Sequence, residues 1–150
     1  MKKIFLLFIV FFTLSCAKDD TANYDAQNEA DILSYLESNN LTAQKTSSGL
    51  YYLVKEQGAG NYPVASSNVT VTYKGYFLNG SVFDQNLQSG ISFNLNQVID
   101  GWKEGLTYYK EGGKGTLFVP SRLGYGNQGN SRIPGGSVIL FDIKLIKINR

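Results

Sequence analysis

The chain has 150 residues, 43% of them hydrophobic, with 14 basic and 12 acidic side chains, one cysteine and no histidine. That length suits one domain with extensions. The missing histidine excludes Ser-His-Asp and Cys-His nucleophilic sites and the common zinc sites, the single cysteine excludes an intramolecular disulfide, and the even charge without a basic block argues against a nucleic-acid partner. Any chemistry here is expected to need neither cofactor nor metal.

Lys2 and Lys3 precede an apolar run over residues 4–14, and Ser15 stands before Cys16. The pattern predicts a secretory signal over residues 1–15, the run being shorter than the roughly 20 residues of a membrane-spanning helix. Removing it takes two lysines from the 14 basic residues and leaves 12 against 12 acids. The place of Cys16 resembles that of the lipidated first residue of bacterial lipoproteins, although Thr13 stands where leucine is usual. An unpaired thiol is a liability in an exported protein, which favours lipidation at Cys16 over a plain signal with a chance cysteine. The expected location is the cell envelope, anchored to the membrane by the N-terminal lipid, on the periplasmic side of the outer membrane or at the surface. Residues 17–24 read as a tether. Their Lys18-Asp19-Asp20 fits an acidic export tag of surface lipoproteins and a solvated linker equally well.

Residues 25–39 predict a short helix. Ile32, Leu33 and Leu36 share a face that Ala26 and Ala30 approach, Asp25 can cap the start, and Asn39-Asn40 ends it. At about four turns it is marginal alone and needs a surface to lean on. It is too short for a long dimerisation helix, so a monomer is expected.

From Leu50 the pattern changes to strands. Residues 50–55 are apolar and tyrosine-rich, and residues 69–74 alternate, with Val69, Val71 and Tyr73 facing inward. Asn79-Gly80 signals a type I′ hairpin between Tyr76-Phe77-Leu78 and Ser81-Val82-Phe83, and Phe93 and Leu95 mark another short strand. Residues 100–108 predict a second helix, with Asp100 as cap and Trp102, Leu106 and Tyr109 at helical spacing. Residues 115–119 and 138–148 complete the strands. Between them lies the Gly-rich stretch 121–136, SRLGYGNQGNSRIPGG. Loops longer than about 12 residues tend to carry function or disorder, so it is a candidate site element. Antiparallel strands with one inserted helix give an α+β class: a curved antiparallel sheet wrapped on one short α-helix, preceded by a short N-terminal helix. The expected division is signal peptide 1–15, lipidated tether and helix 16–45, and domain 46–150.

Trp102 is the only tryptophan, and a lone large aromatic in a small domain is more often core filling than a pocket wall. Asp84, next to Phe83 at a strand end, reads on its own as a solvated turn residue.

Four stretches, VTVTYKGYFLNGSVFDQN, QVIDGWKEGL, FVPSRLGYGNQG and IPGGSVILFDIKLIKI, stand in this order over residues 46–150. Together they resemble the FKBP-type peptidyl-prolyl cis-trans isomerases. The resemblance implies prolyl isomerase activity that assists the folding of exported proteins, with proline-containing polypeptides as clients. It places the catalytic pocket at Tyr73, Phe83, Asp84, Trp102, Tyr125 and Phe141, and substrate-binding residues at Val98, Ile99, Ile91 and Ile133. Trp102 becomes the floor under the proline ring, Tyr73, Phe83 and Phe141 the walls, and the Ile99 N–H and Tyr125 hydroxyl the donors to substrate carbonyls. Ile91 is expected to replace an aromatic, because the segment between Asp84 and Phe93 is short. Macrolides are implied as ligands of the same pocket; Gln97, Gly124 and Arg132 depart from the family pattern and bear on that affinity. Two readings from other classes remain beside the enzyme: a non-catalytic binding module or chaperone on the same fold, and a component of an envelope assembly.

Overall fold

The computed structural model describes residues 23–149; the predicted signal, Cys16 and the tether as far as residue 22 lie outside the described residues. Six strands form one sheet: β1 (Gln44–Lys45), β2 (Tyr51–Glu56), β3 (Asn68–Phe77), β4 (Val82–Asn94), β5 (Lys114–Val119) and β6 (Ile139–Asn149). Their spatial order is β1-β2-β5-β6-β3-β4, every neighbouring pair antiparallel. Two helices accompany it, α1 (Asp25–Ser38) and α2 (Asp100–Gly105), the latter continued by a 3₁₀ turn at Leu106–Tyr108. The architecture is the expected curved antiparallel sheet on a short helix, with an N-terminal helix.

Alternation along the central strands builds two cores. Leu117 and Val119 of β5 and Ile139, Phe141, Ile143 and Leu145 of β6 pack with Trp102, Leu106 and Tyr109 on one face of the sheet. Phe118 and Leu140, the intervening residues, pack with Ile32 and Leu36 of α1 on the other. A strand covered on both faces buries nearly every residue, and β5 accordingly reads as one continuous buried run. Gly101 and Gly105 let α2 settle directly on β5: a Cβ at either would stand 2.6 Å from Val119 or Leu117.

Three local expectations are corrected. Asp25 does not cap α1; Tyr24 holds the cap position without a side-chain bond, and the Asp25 N–H donates to Asn23 Oδ1 instead. Leu33 is exposed, and the buried stripe is Asn28, Ile32 and Leu36, which repeats every fourth residue. The helix closes at Asn40, in the left-handed region (φ 52), with the Leu41 N–H bonded to the Leu36 carbonyl and Leu41 packed beside Leu36. Asp100 is likewise not a cap; the Ile99 carbonyl accepts the Trp102 and Lys103 N–H groups that start α2.

The hairpin at Asn79-Gly80 forms with a different turn. A type I′ turn needs positive φ at both central residues, but only Gly80 has it (φ 85). The Gly80 N–H instead bonds back to Phe77, and the Phe77 N–H reaches Ser81, one residue further on. The two short strands expected after it are one thirteen-residue strand, β4, and Leu95 falls in the 3₁₀ turn that follows. A bulge hides the continuity: pairing steps from Val71↔Ile91 to Tyr73↔Asn86, leaving residues 87–90 unpaired.

Candidate active site

A cavity of about 340 Å³ opens where β3, β4, β6 and α2 meet the 121–136 loop, lined by Tyr73, Phe83, Asp84, Phe93, Gln97, Val98, Ile99, Trp102, Tyr125 and Phe141. Each element supplies what its register dictates. Gly75 pairs with Asp84 on one side and with Phe141 on the other. The missing side chain lets two aromatic walls close over it: a Cβ there would lie 2.7 Å from Phe83 and 2.9 Å from Phe141.

The walls stand on edge around Trp102. Its ring centroid is 5.0 Å from Tyr73 at 83° and 5.1 Å from Phe141 at 84°, and Phe93 lies 5.3 Å away. Phe83 meets Phe141 at 90° with centroids 5.7 Å apart. Edge-to-face pairs bring the positive ring edge to the negative ring face, adding about 0.5–1.5 kcal/mol per pair beyond area burial. The arrangement is therefore held open by its own rings rather than collapsed. Trp102 is 5% exposed and belongs to the main core, yet its ring also lines the cavity. Core filler and floor are one residue here. Its buried Nε1 has no hydrogen-bond partner among the described residues.

Polar groups sit at the rim. The Tyr73 hydroxyl donates to Asp84 Oδ2 at 2.7 Å, so Asp84 belongs to the cavity rather than to a solvated turn. Burial first, then the bond to Asp84 and its charge, push the Tyr73 hydroxyl well above the ordinary phenol range. Tyr125 is shifted the same way, by burial and by the charge of Asp84. Both phenols thus keep their protons at neutral pH as hydrogen-bond donors. Neither the Tyr125 hydroxyl nor the Ile99 N–H is engaged by another described residue, leaving two donors at one mouth.

Eight of the ten pocket positions expected from the sequence line this cavity: Tyr73, Phe83, Asp84, Val98, Ile99, Trp102, Tyr125 and Phe141. Ile91 does not. It lies on β4, the edge strand, opposite Val71 of β3, and is 41% exposed because no described element covers the sheet beyond it. Phe93, two pairs further along opposite Val69, supplies the aromatic instead. Ile133 is buried in the main core and does not line the cavity. Phe93 was legible as an alternating apolar residue, but nothing in its spacing told wall from core.

The model of the FKBP-type peptidyl-prolyl cis-trans isomerases matches residues 60–146. The chain belongs to this family. An FKBP-type isomerase named FkpA from Buchnera aphidicola is 45% identical over 108 residues, covering 71% of this chain and 43% of that protein. The crystal structure of FkpA from Escherichia coli superposes with a TM-score of 0.74 at 39% identity, over 83% of this chain and 61% of that one. A peptidyl-prolyl cis-trans isomerase from Pseudomonas syringae gives 0.72 at 27% identity, over 86% of this chain and 98% of that one. The chain spans less than half the length of the curated FKBP relatives it matches.

Proposed function

We propose that this chain catalyses cis–trans isomerisation of X–Pro bonds in polypeptides, in the aromatic cavity floored by Trp102. The carrying observation is the set of edge-to-face rings around Trp102, with the Tyr73–Asp84 pair and two unengaged donors at the mouth.

Amide resonance holds the X–Pro bond planar, and rotation costs about 18–20 kcal/mol. Both isomers are populated and exchange over tens of seconds or more. Twisting the bond localises the nitrogen lone pair and lowers the polarity of the amide. Water solvates the planar form well, whereas a dry aromatic cavity favours the less polar twisted form, so binding is stronger in the transition state than in the ground state. The proline ring rests on Trp102 between Phe83 and Phe141. The Ile99 N–H and the Tyr125 hydroxyl hold carbonyls on either side of the turning bond. Tyr73 keeps the Asp84 carboxylate at the rim, where it faces the substrate amide. No covalent intermediate or proton shuttle enters, in keeping with a chain that has no histidine.

The test is isomerisation of a short X–Pro peptide by the chain from Ala17 onward, beside Asp84→Ala and Tyr125→Phe. A hydrogen bond to a charged group is worth about 1.5–3 kcal/mol and a neutral one about 0.5–1.5, and 1.4 kcal/mol is about a tenfold change in rate. Asp84→Ala is expected to lower kcat/KM by about tenfold and Tyr125→Phe by about threefold. A folded wild type without acceleration would turn the reading into a module that holds proline segments without turning them over.

The clients proposed are exported proteins, and the place is the cell envelope. The support is the basic and apolar leader of residues 1–15 and the lone cysteine at position 16. Lipid on Cys16 would keep the domain at the membrane, on the periplasmic side of the outer membrane in this reading. Cys16→Ser is expected to move the exported protein from the membrane pellet to the soluble fraction; an unchanged distribution would remove the lipid from the account.

A further inference from the structure

Asn28 stands where α1 should carry an apolar residue. It shares the every-fourth-residue stripe with Ile32 and Leu36, and it is 2% exposed. Asparagine is a poor helix former, and a buried amide must find partners. Asn28 finds both of them far along the chain. Its Oδ1 accepts the Ser121 N–H at 2.7 Å, and its Nδ2 donates to the Gly136 carbonyl at 2.9 Å. These are the first and last residues of the 121–136 loop.

The circuit continues inward to the residues that flank Tyr125. The Ser121 carbonyl accepts the N–H groups of Gly124 at 3.0 Å and Gly126 at 2.7 Å, and the Gly136 N–H donates to the Gly126 carbonyl at 2.9 Å. Asn28, Ser121, Gly126 and Gly136 therefore close a ring of hydrogen bonds through three backbone peptides and one side-chain amide. Two further contacts brace the same base. Tyr24 lies on Gly136, where a Cβ would be 2.5 Å from its ring, and Arg122 pairs with Asp25 at 3.1 Å and bonds the Ser48 carbonyl. Tyr125 itself is 39% exposed; its carbonyl accepts the Gly129 N–H at 3.1 Å, and its hydroxyl bonds no described residue.

We infer that Asn28 is a positioning residue, which fixes the base of the 121–136 loop and thereby sets the affinity of the cavity for a proline-containing segment. The inference rests on the isomerase reading for its substrate but not for its structural half. With Asn28 in place the loop has one arrangement, with Tyr125 at the cavity. Without it the buried Ser121 N–H and the half-buried Gly136 carbonyl lose their partner, and the loop spreads over several arrangements. Apparent affinity scales with the population of the competent one.

The experiment compares the chain from Ala17 onward with Asn28→Ala, Asn28→Ser and Leu36→Ala. Leu36 packs on the other core from the same helix and touches none of the ring. In Asn28→Ala the amides of Gly124 and Gly126 are expected to exchange about tenfold faster relative to strand amides. KM for an X–Pro peptide is expected to rise about fivefold, with kcat changed less than about twofold. Leu36→Ala should lower overall stability and leave both readouts near wild type. Asn28→Ser, which keeps one hydroxyl for one of the two partners, should fall between and serves if the alanine variant does not fold. Unchanged relative exchange in a folded Asn28 variant, or an equal rise of KM in Leu36→Ala, overturns the inference. A wild type without isomerisation would sink the functional reading, while the exchange ratio would still decide whether Asn28 holds the loop.

Discussion

Trp102→Leu is expected to fold and to lose about nine-tenths or more of the proposed acceleration of X–Pro isomerisation. Leucine keeps the site apolar and much of its volume, so the core on which Trp102 also rests survives with a smaller cavity. The expected stability loss is about 2–3 kcal/mol, within the range for large-to-small core changes. The flat surface is what disappears. Tyr73, Phe93 and Phe141 each set an edge or a tilted face against the indole. At about 0.5–1.5 kcal/mol per ring pair, losing three loosens the walls as well as the floor. A loss of 1.4 kcal/mol in transition-state binding is already about tenfold. The check is kcat/KM on an X–Pro peptide together with urea unfolding of the same preparation. A folded variant within about twofold of wild type would take Trp102 out of the site and return it to plain core.

The double duty of Trp102 explains why its two readings could not be separated from composition. A residue at the end of a core is filler on one side and floor on the other. Which description matters depends on whether something covers the second side. Here the cavity lies on that side, because Gly75 lets Phe83 and Phe141 close over it as walls rather than as filling. Strands were legible wherever one face is wet, as at Val69 and Val71, since period-two alternation follows from the pleat. They were less legible where both faces are buried, as on β5, or where a bulge breaks the period, as at residues 87–90 of β4. Ile91 was misplaced for that second reason. The bulge moves the pairing by several residues, and the count from Asp84 to the next aromatic no longer tells which side chain reaches the indole. Motif order identified most of the cavity because Tyr73, Phe83, Asp84 and Phe141 sit on strands, Trp102 on α2 and Val98 and Ile99 just before it. Asn28 carried no such signal. Its partners are the backbone groups of Ser121 and Gly136, and a hydrogen bond to backbone leaves no residue type to recognise at the far end.

A chain beginning at Thr46, where the family resemblance begins, is expected to lose a large share of its stability. The reason is the second core. Ile32 and Leu36 are 0% and 6% exposed, and their partners Phe118 and Leu140 are fully buried. Burying a large aliphatic side chain is worth about 1.5–3 kcal/mol. Two of them, with the lost bonds of Asn28, amount to about 4–6 kcal/mol against a total of about 5–15 for a domain of this kind. Truncation would also expose Tyr51, Phe118 and Leu140 as one apolar patch on the sheet, a surface that invites association. It would remove β1, the outermost strand beside β2, too. Urea unfolding and gel filtration of chains starting at Ala17 and at Thr46 decide the matter: a much lower midpoint and concentration-dependent size are expected for the shorter one. Equal midpoints would show that α1 rests on the sheet without stabilising it. The loop that carries Tyr125 would then need some hold other than the helix, because a helix free to leave at no cost could not keep Asn28 between Ser121 and Gly136.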